Sequence, residues 1–314
     1  MKTRNPLERL LEKEMLSTGF RKIFDETLRL LREFSKTHAP PSSPHARPKY
    51  DRLMVVALLI LKEMSPQPIS FEGIRGRAIE AGIDMRVSGD ARHRVPTAET
   101  LRYHYRNPRL QQWVLEFLNR LRCQGSLLIR GLSGCGDAEE FVADGTAVPV
   151  GFLEERFVRG RVVLSRAVVD IKFIYDIGVD MFAWATGSRD ISEAMGVIPR
   201  GSILYADREF FVRGNCVEAF QRGIDFQVRP SRVFSCRILR RAAGGFSARM
   251  YRRRKNCERG AAVFDRVREV RYRDPESVAS FVVFRAAAHN VKRMLRLEAL
   301  AGLFVRVGGG VIEV

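Results

Sequence analysis

Apolar residues recur along this chain at two different periods, and the change of period divides it. In the first part they recur every three or four positions. Phe20, Ile23, Phe24, Leu28 and Leu31 fall on one stripe, and Leu110, Trp113, Val114, Phe117, Leu118 and Leu121 on another. That is the spacing of a single buried helix face. Amphipathic helices are therefore expected over 51–64 and 109–122, with two shorter ones between them, one after Ser70 and one after Pro96-Thr97. Asn5-Pro6-Leu7-Glu8 reads as a helix start, with an N-cap, a proline at the first helical position and a glutamate at the capping-box position. The run THAPPSSPHARPKY, residues 37–50, cannot continue a helix, because its prolines lack an N–H and its serines compete for the backbone. It is expected as a linker between N-terminal helices over 1–36 and a second helical region over 51–131.

After Cys123 the period shortens. LSGCGDAEE, residues 132–140, is a glycine-rich joint. The segments 141–151, 161–173 and 174–187 are rich in β-branched and aromatic residues with turn residues between them, the pattern of three strands in a meander. A short helix around 189–197, a strand over 202–207, a helix around 211–222 and a strand over 225–230 follow, then helices over 250–267 and 277–301. A meander followed by α/β alternation implies one mixed sheet with helices on its faces. The expected fold class is α/β over 132–314, preceded by an all-α region.

Composition bears on the partner more than on the fold. Lys and Arg number 54 against 36 Asp and Glu, a formal charge of +18, with a pI near 10.4. Such a surface attracts polyanions, and a phosphate backbone is the commonest one. On the shorter helix after Pro96-Thr97, Arg102, Tyr103, His104, Tyr105 and Arg106 are placed to read a groove as the second helix of a helix-turn-helix does. The other reading is a small helical bundle with the aromatics in its core. The five cysteines form no CxxC pair, which fits a reducing compartment, and the five histidines have no zinc-site spacing. The charged N-terminus does not read as a secretory signal, and the longest apolar run, Leu53 to Leu61, is too short to span a bilayer. The expectation is a soluble, cytoplasmic, nucleoid-associated protein with no membrane partner.

The carboxylates carry the chemistry. Asp144 interrupts the apolar first strand, where an acid needs a partner. Asp207 ends the fourth strand, the end at which α/β sheets locate their sites. On a helix advancing about 100° per residue, Arg254, Glu258 and Asp265 share a sector near Tyr251. Each acid also has a plain reading, as a turn or core aspartate or as half of an i,i+4 ion pair worth about 0.3–0.5 kcal/mol. The run Arg252, Arg253, Arg254, Lys255, with Arg240, Arg241 and Arg249 upstream, reads either as a solvated basic face or as a phosphate path. Lys172, placed between the second and third strands, is a further candidate contact.

Taken together these residues resemble the DDE transposases of bacterial and archaeal insertion sequences, which have a ribonuclease-H-like core. Tyr251, Arg254 and Glu258 match the family's Tyr-x2-Arg-x3-Glu signature. Asp144 in Asp-Gly-Thr and Asp207 in Ala-Asp-Arg-Glu are similar to its first and second acid motifs, and Asp190 lies where many such sequences carry an aspartate. The likeness covers about 140–301. It departs at Asp265, where the family usually has a lysine: either Arg266 next to it substitutes, or the DNA contact is weakened. The resemblance implies that Asp144, Asp207 and Glu258 hold two Mg²⁺ or Mn²⁺ ions. It also implies cleavage of transposon ends by water, then strand transfer by the freed 3′-hydroxyl into target DNA. Double-stranded DNA is the implied partner, contacted by Tyr251, Arg252, Arg253, Arg254, Lys255, Lys172 and Arg266, with Arg102 and Arg106 added by the helix-turn-helix reading, and a homodimer the implied active form. Phe210 and Phe211, after Asp207, read as core or as a stacking site for a displaced base. Two other readings stay open: a related nuclease without strand transfer, and an inactive or domesticated DNA-binding copy.

Overall fold

The computed structural model describes residues 19–41, 48–87, 89, 91–133, 138–158, 161–186, 191, 193–230, 237–267, 270, 272 and 274–308. The helix start expected at Asn5-Pro6 and the aspartate Asp190 lie outside them. The chain divides into two units, Met1–Phe117 and Leu118–Val314.

In the first unit, α1 (Phe20–Ser35) buries Phe24, Leu28 and Leu31 as its stripe requires and adds Leu30 and Phe34. Phe20 and Ile23 are only half-buried. Helix α2 (Arg52–Met64) starts where Asp51 accepts a hydrogen bond from the Leu53 N–H at 2.8 Å, and it is buried from Val55 to Met64 on every side. The caps of α3 (Phe71–Glu80) and α4 (Ala98–Tyr105) are Ser70 and Thr97, whose hydroxyls accept from the N–H three residues on, at 3.0 and 3.3 Å. These caps fall where the pattern put them. The described residues of the expected linker, 37–41 and 48–50, fall in this unit. Its His38 carbonyl accepts from the Trp113 indole N–H at 2.8 Å, and the His38 ring stacks on Phe34.

Helix α5 (Pro108–Ser133) opens with a proline at its first position, after Asn107, whose side chain accepts from the Arg109 N–H at 3.0 Å. It runs eleven residues past the expected end at 122. Gly125 does not stop it, because a Cβ there would come within 3.2 Å of Met181 and Leu297. The glycine makes room for packing, and tertiary contact overrides its helix propensity.

The second unit is a mixed α/β layer built on a five-stranded sheet in the order β3-β2-β1-β4-β5. β1 (Glu140–Val158), β2 (Arg161–Asp176) and β3 (Met181–Thr186) run antiparallel, and β4 (Ile203–Ala206) and β5 (Asp225–Val228) extend the sheet in parallel from β1. Helix α6 (Arg213–Gln221) makes the crossover between the last two. Then come α7 (Arg237–Gly244), α8 (Ala248–Tyr251), a 3₁₀ segment over Arg252–Asn256, α9 (Cys257–Asp265) and the long α10 (Pro275–Gly308). The turn between β2 and β3 is at 177–180, not at 173–174. Asp176 accepts there from the N–H groups of Gly178 and Val179, and Asp180 takes φ 63°. Lys172 therefore lies inside β2, a correction to its expected position between strands.

Side chains alternate across the sheet and give it two cores. Phe141, Ala143, Leu204, Ala206, Phe210, Phe211 and Phe226 line one face. Val142, Tyr205 and Cys257 pack on the other. Phe210 and Phe211 are thus core residues, not a free stacking site. Helix α9 approaches the second face so closely that a Cβ on Gly260 would lie 2.8 Å from the Phe173 ring and 3.2 Å from Tyr175. Arg122, on α5, is buried against the sheet. It donates to Glu139 at 2.8 Å, lies 3.6 Å from Asp176 and covers the Phe141 ring. Burial pushes the Asp176 carboxyl up to about 6, against the pull of Arg122. Asn290 of α10 bonds the backbone of Phe182 in both directions and the Leu118 carbonyl. Neither this network nor Gly260 was legible as such in the sequence. Among the described residues, no helix is long and apolar enough to cross a membrane.

Candidate metal centre

The period-two alternation of β1 aims Glu140, Val142, Asp144 and Thr146 at the face that α9 covers. The parallel register places Val142 beside Tyr205 and Ala143 beside Ala206. Continued by one residue, it brings Asp207, just past the end of β4, next to Asp144. Both carboxylates meet Arg254. Its Nη2 lies 3.0 Å from Asp144 Oδ1 and 3.2 Å from Asp207 Oδ2. Two acids sixty-three residues apart thus share one guanidinium nitrogen.

Arg254 arrives there because the chain is not one continuous α-helix from 250 to 267. The 3₁₀ segment over Arg252–Asn256 advances about 120° per residue, so residues three apart eclipse. Tyr251 and Arg254 therefore point the same way. Burial raises the Tyr251 phenol, with Arg254 opposing and the charges of Asp207 and Asp144 adding to the rise. Burial works against the charge on Arg254, but Asp144 and Asp207 outweigh it and its pKa is raised. The Cys257 thiol is pushed up to about 12, first by burial and then by its hydrogen bond to Asp144. In the sequence Cys257 stands out only for its lack of a CxxC partner. Its place immediately before Glu258 was the available sign that it would lie at the site.

The same change of helix type moves the rest of the expected face. Glu258 is exposed, one residue beyond Cys257. Asp265 is turned back to β1, where its Oδ1 accepts from the Thr146 hydroxyl at 2.6 Å. Arg266 beside it is exposed. Asp144 and Asp207 are brought together, while among the described residues no three His, Cys, Asp or Glu side chains form one metal-holding group.

The expected DNA contacts are spread unevenly. Arg252 and Lys255 are exposed on the 3₁₀ segment, and Arg249 and Arg241 are exposed upstream, Arg241 lying over the Phe220 ring at 4.3 Å. Arg253 pairs with Glu140. Lys172 is only 11% exposed, pairs with Glu209 and covers the Phe210 ring at 5.3 Å. Its stem fills the space opposite Gly145, where a Cβ would meet Nζ at 2.5 Å. The glycine of Asp-Gly-Thr leaves room for this approach, and a side chain there would have to push the flexible Lys172 chain aside. In the first unit Arg102 and Arg106 are exposed on and just after α4. Tyr105 of the same helix is fully buried, with its hydroxyl donating to Glu63 at 2.7 Å, and so cannot read a groove. Burial lowers the pKa of the neighbouring His104. The Arg240 side chain lies outside the described residues.

In comparisons with known proteins, no family model, no curated protein and no solved structure matches this chain.

Proposed function

We propose that this protein is a metal-dependent DNA-cleaving and strand-joining enzyme of the DDE transposase kind, with a ribonuclease-H-like second unit. The observation that carries the reading is the single guanidinium between Asp144 and Asp207. Two carboxylates on neighbouring strands repel unless a cation stands between them, and here the protein's own cation occupies that place. The donors suit Mg²⁺ or Mn²⁺, which take hard oxygen ligands. Asp144 and Asp207 would hold such ions, with Glu258 closing in from the first turn of α9. The mixed sheet, a meander extended by two parallel strands, supports the reading.

When bound, divalent ions would stabilise the charge on the attacking and leaving oxygens of a phosphodiester. The remaining work belongs to the chain. Arg252, Lys255, Arg249 and Arg266 supply an exposed basic surface along the same stretch as the third acid, suited to tracking phosphates. Gly260 lets α9 lie against β2, which sets the height of Glu258 over the sheet. Burial, and then the hydrogen bond that holds it to Asp144, raises the Cys257 thiol pKa, and this bond would help to orient that carboxylate.

The test is Mg²⁺- or Mn²⁺-dependent nicking of supercoiled DNA. Asp144→Ala, Asp207→Ala and Glu258→Ala are each expected to abolish nicking and leave duplex binding largely intact. Nicking retained by any of them removes that residue from the site. A nuclease without strand transfer is distinguished by following the cut ends, which it would leave unjoined.

A further inference from the structure

Resting on that two-metal reading, we propose that Arg254 is a resident counter-cation, which holds Asp144 and Asp207 together before DNA arrives and then moves to a DNA phosphate, so that DNA binding and metal binding reinforce each other.

Three observations lead to this. First, one nitrogen of Arg254 contacts both carboxylates, so its charge sits where a divalent ion would have to sit. Second, Arg254 is 24% and Asp144 14% exposed, so their contact is shielded from solvent in a way surface pairs are not. Asp207, at 46%, leaves the site open on one side. Third, Nε of Arg254 is buried and makes no hydrogen bond among the described residues. The fork is half used. A guanidinium engages a phosphate through two parallel N–H bonds, which its present position denies it.

The backbone under Arg254 suits such a move. It is a 3₁₀ segment between two α-helices, with poorer hydrogen-bond geometry than either. Arg252 and Lys255 stand exposed on the same segment to receive the phosphate backbone first. Once a phosphate takes the guanidinium, Asp144 and Asp207 lose their counter-charge and keep only neutral donors, the Cys257 thiol and the Arg208 N–H at 2.6 Å, and their affinity for a divalent cation rises. Linkage makes the effect reciprocal: metal bound at the carboxylates frees Arg254 for DNA.

The experiment measures Mn²⁺ binding to the full chain by paramagnetic resonance of the free ion, with and without a short duplex of arbitrary sequence, corrected for the ion bound by the duplex alone. Without DNA, Arg254→Gln is expected to bind Mn²⁺ about tenfold more tightly than the unchanged protein, the scale of one charge-assisted hydrogen bond. Duplex DNA should raise the affinity of the unchanged protein by a similar factor and leave that of Arg254→Gln unmoved. Arg254→Lys, a point charge that cannot fork, should fall between the two, and it carries the comparison if the glutamine variant does not fold. Asp144→Asn with Asp207→Asn should abolish binding. Equal affinity of the unchanged protein and Arg254→Gln overturns the counter-cation while leaving the two-metal reading in place. Weaker binding by Arg254→Gln overturns it too, since the guanidinium would then be building the site. No Mn²⁺ bound by either protein overturns the two-metal reading and the counter-cation with it.

Discussion

Replacing Gly260 with alanine tests how the third acid is set over the sheet. The new methyl would lie 2.8 Å from Phe173 Cε2, 3.3 Å from Phe173 Cζ and 3.2 Å from Tyr175 Cδ2. Both rings are fully buried, so neither can swing away as an exposed side chain would. Phe173 also packs against Phe182 and Phe264, which are buried themselves. The helix must therefore rise off the sheet. Overpacking of this kind costs about 1–3 kcal/mol, while alanine in place of glycine within a helix returns about 1 kcal/mol. Because the clash is with rigid rings, the upper part of that range applies, and the net loss expected is about 1–2 kcal/mol. Urea unfolding measures it, as a lower midpoint with an unchanged slope. Gly302→Ala in α10 is the control. Nothing lies within 4 Å of a Cβ there, so the same exchange should stabilise by up to about 1 kcal/mol. If Gly260→Ala is as stable as the unchanged protein, α9 is not seated on Phe173 and Tyr175, and the placement of Glu258 loses its support.

The remaining predictions concern buried polar groups and charge. Asp176 has its carboxyl raised from 3.8 to about 6, so its contribution to stability is complete below the lower value and is lost as pH rises through the higher one. The stability of the unchanged protein relative to Asp176→Asn should therefore grow as pH falls through that window, by at most about 3 kcal/mol. Paired unfolding curves across the window check this, and a constant difference would refute it. Tyr105→Phe removes the donor to the buried carboxylate of Glu63 and should cost about 1–3 kcal/mol of stability without changing DNA affinity. Arg102→Ala, which removes a guanidinium 5.5 Å over the Phe71 ring, should cost at most about 1 kcal/mol of stability, and Arg106→Ala is its companion. If α4 touches DNA, each should also flatten the log–log dependence of binding on salt by about 0.9.

Much of the local architecture could be read from residue order because local physics governs it. The caps at Asp51, Ser70 and Thr97 and the proline after Asn107 act over three or four residues, and the helices they start stand where the pattern put them. Asp144, interrupting an apolar run, put one acid within a strand, and the strand pattern before Asp207 put another at a strand end. The faces near Glu258 obey an equally local rule that residue order does not announce. The segment Arg252–Asn256 tightens to 3₁₀, so the face of Arg254 parts from the face that Glu258 and Asp265 share on α9, where Asp265 meets Thr146.

Which strand lies beside which is a different matter. Nothing within a few residues of Asp144 or Asp207 makes β4 pair in parallel with β1, and only that pairing brings the two carboxylates to one guanidinium. Lys172 was a free cation in linear order and became Glu209's partner once β2 was set against β1 and β4 against β1. Tyr105 stood between groove contact and bundle core in linear order, and α2 and α3 decide for the core by enclosing it against Glu63 and Phe71. Periodicity reports which face a residue takes, because that depends on its own backbone. Long-range pairing reports what it meets there, because that is chosen by burying whole faces at once.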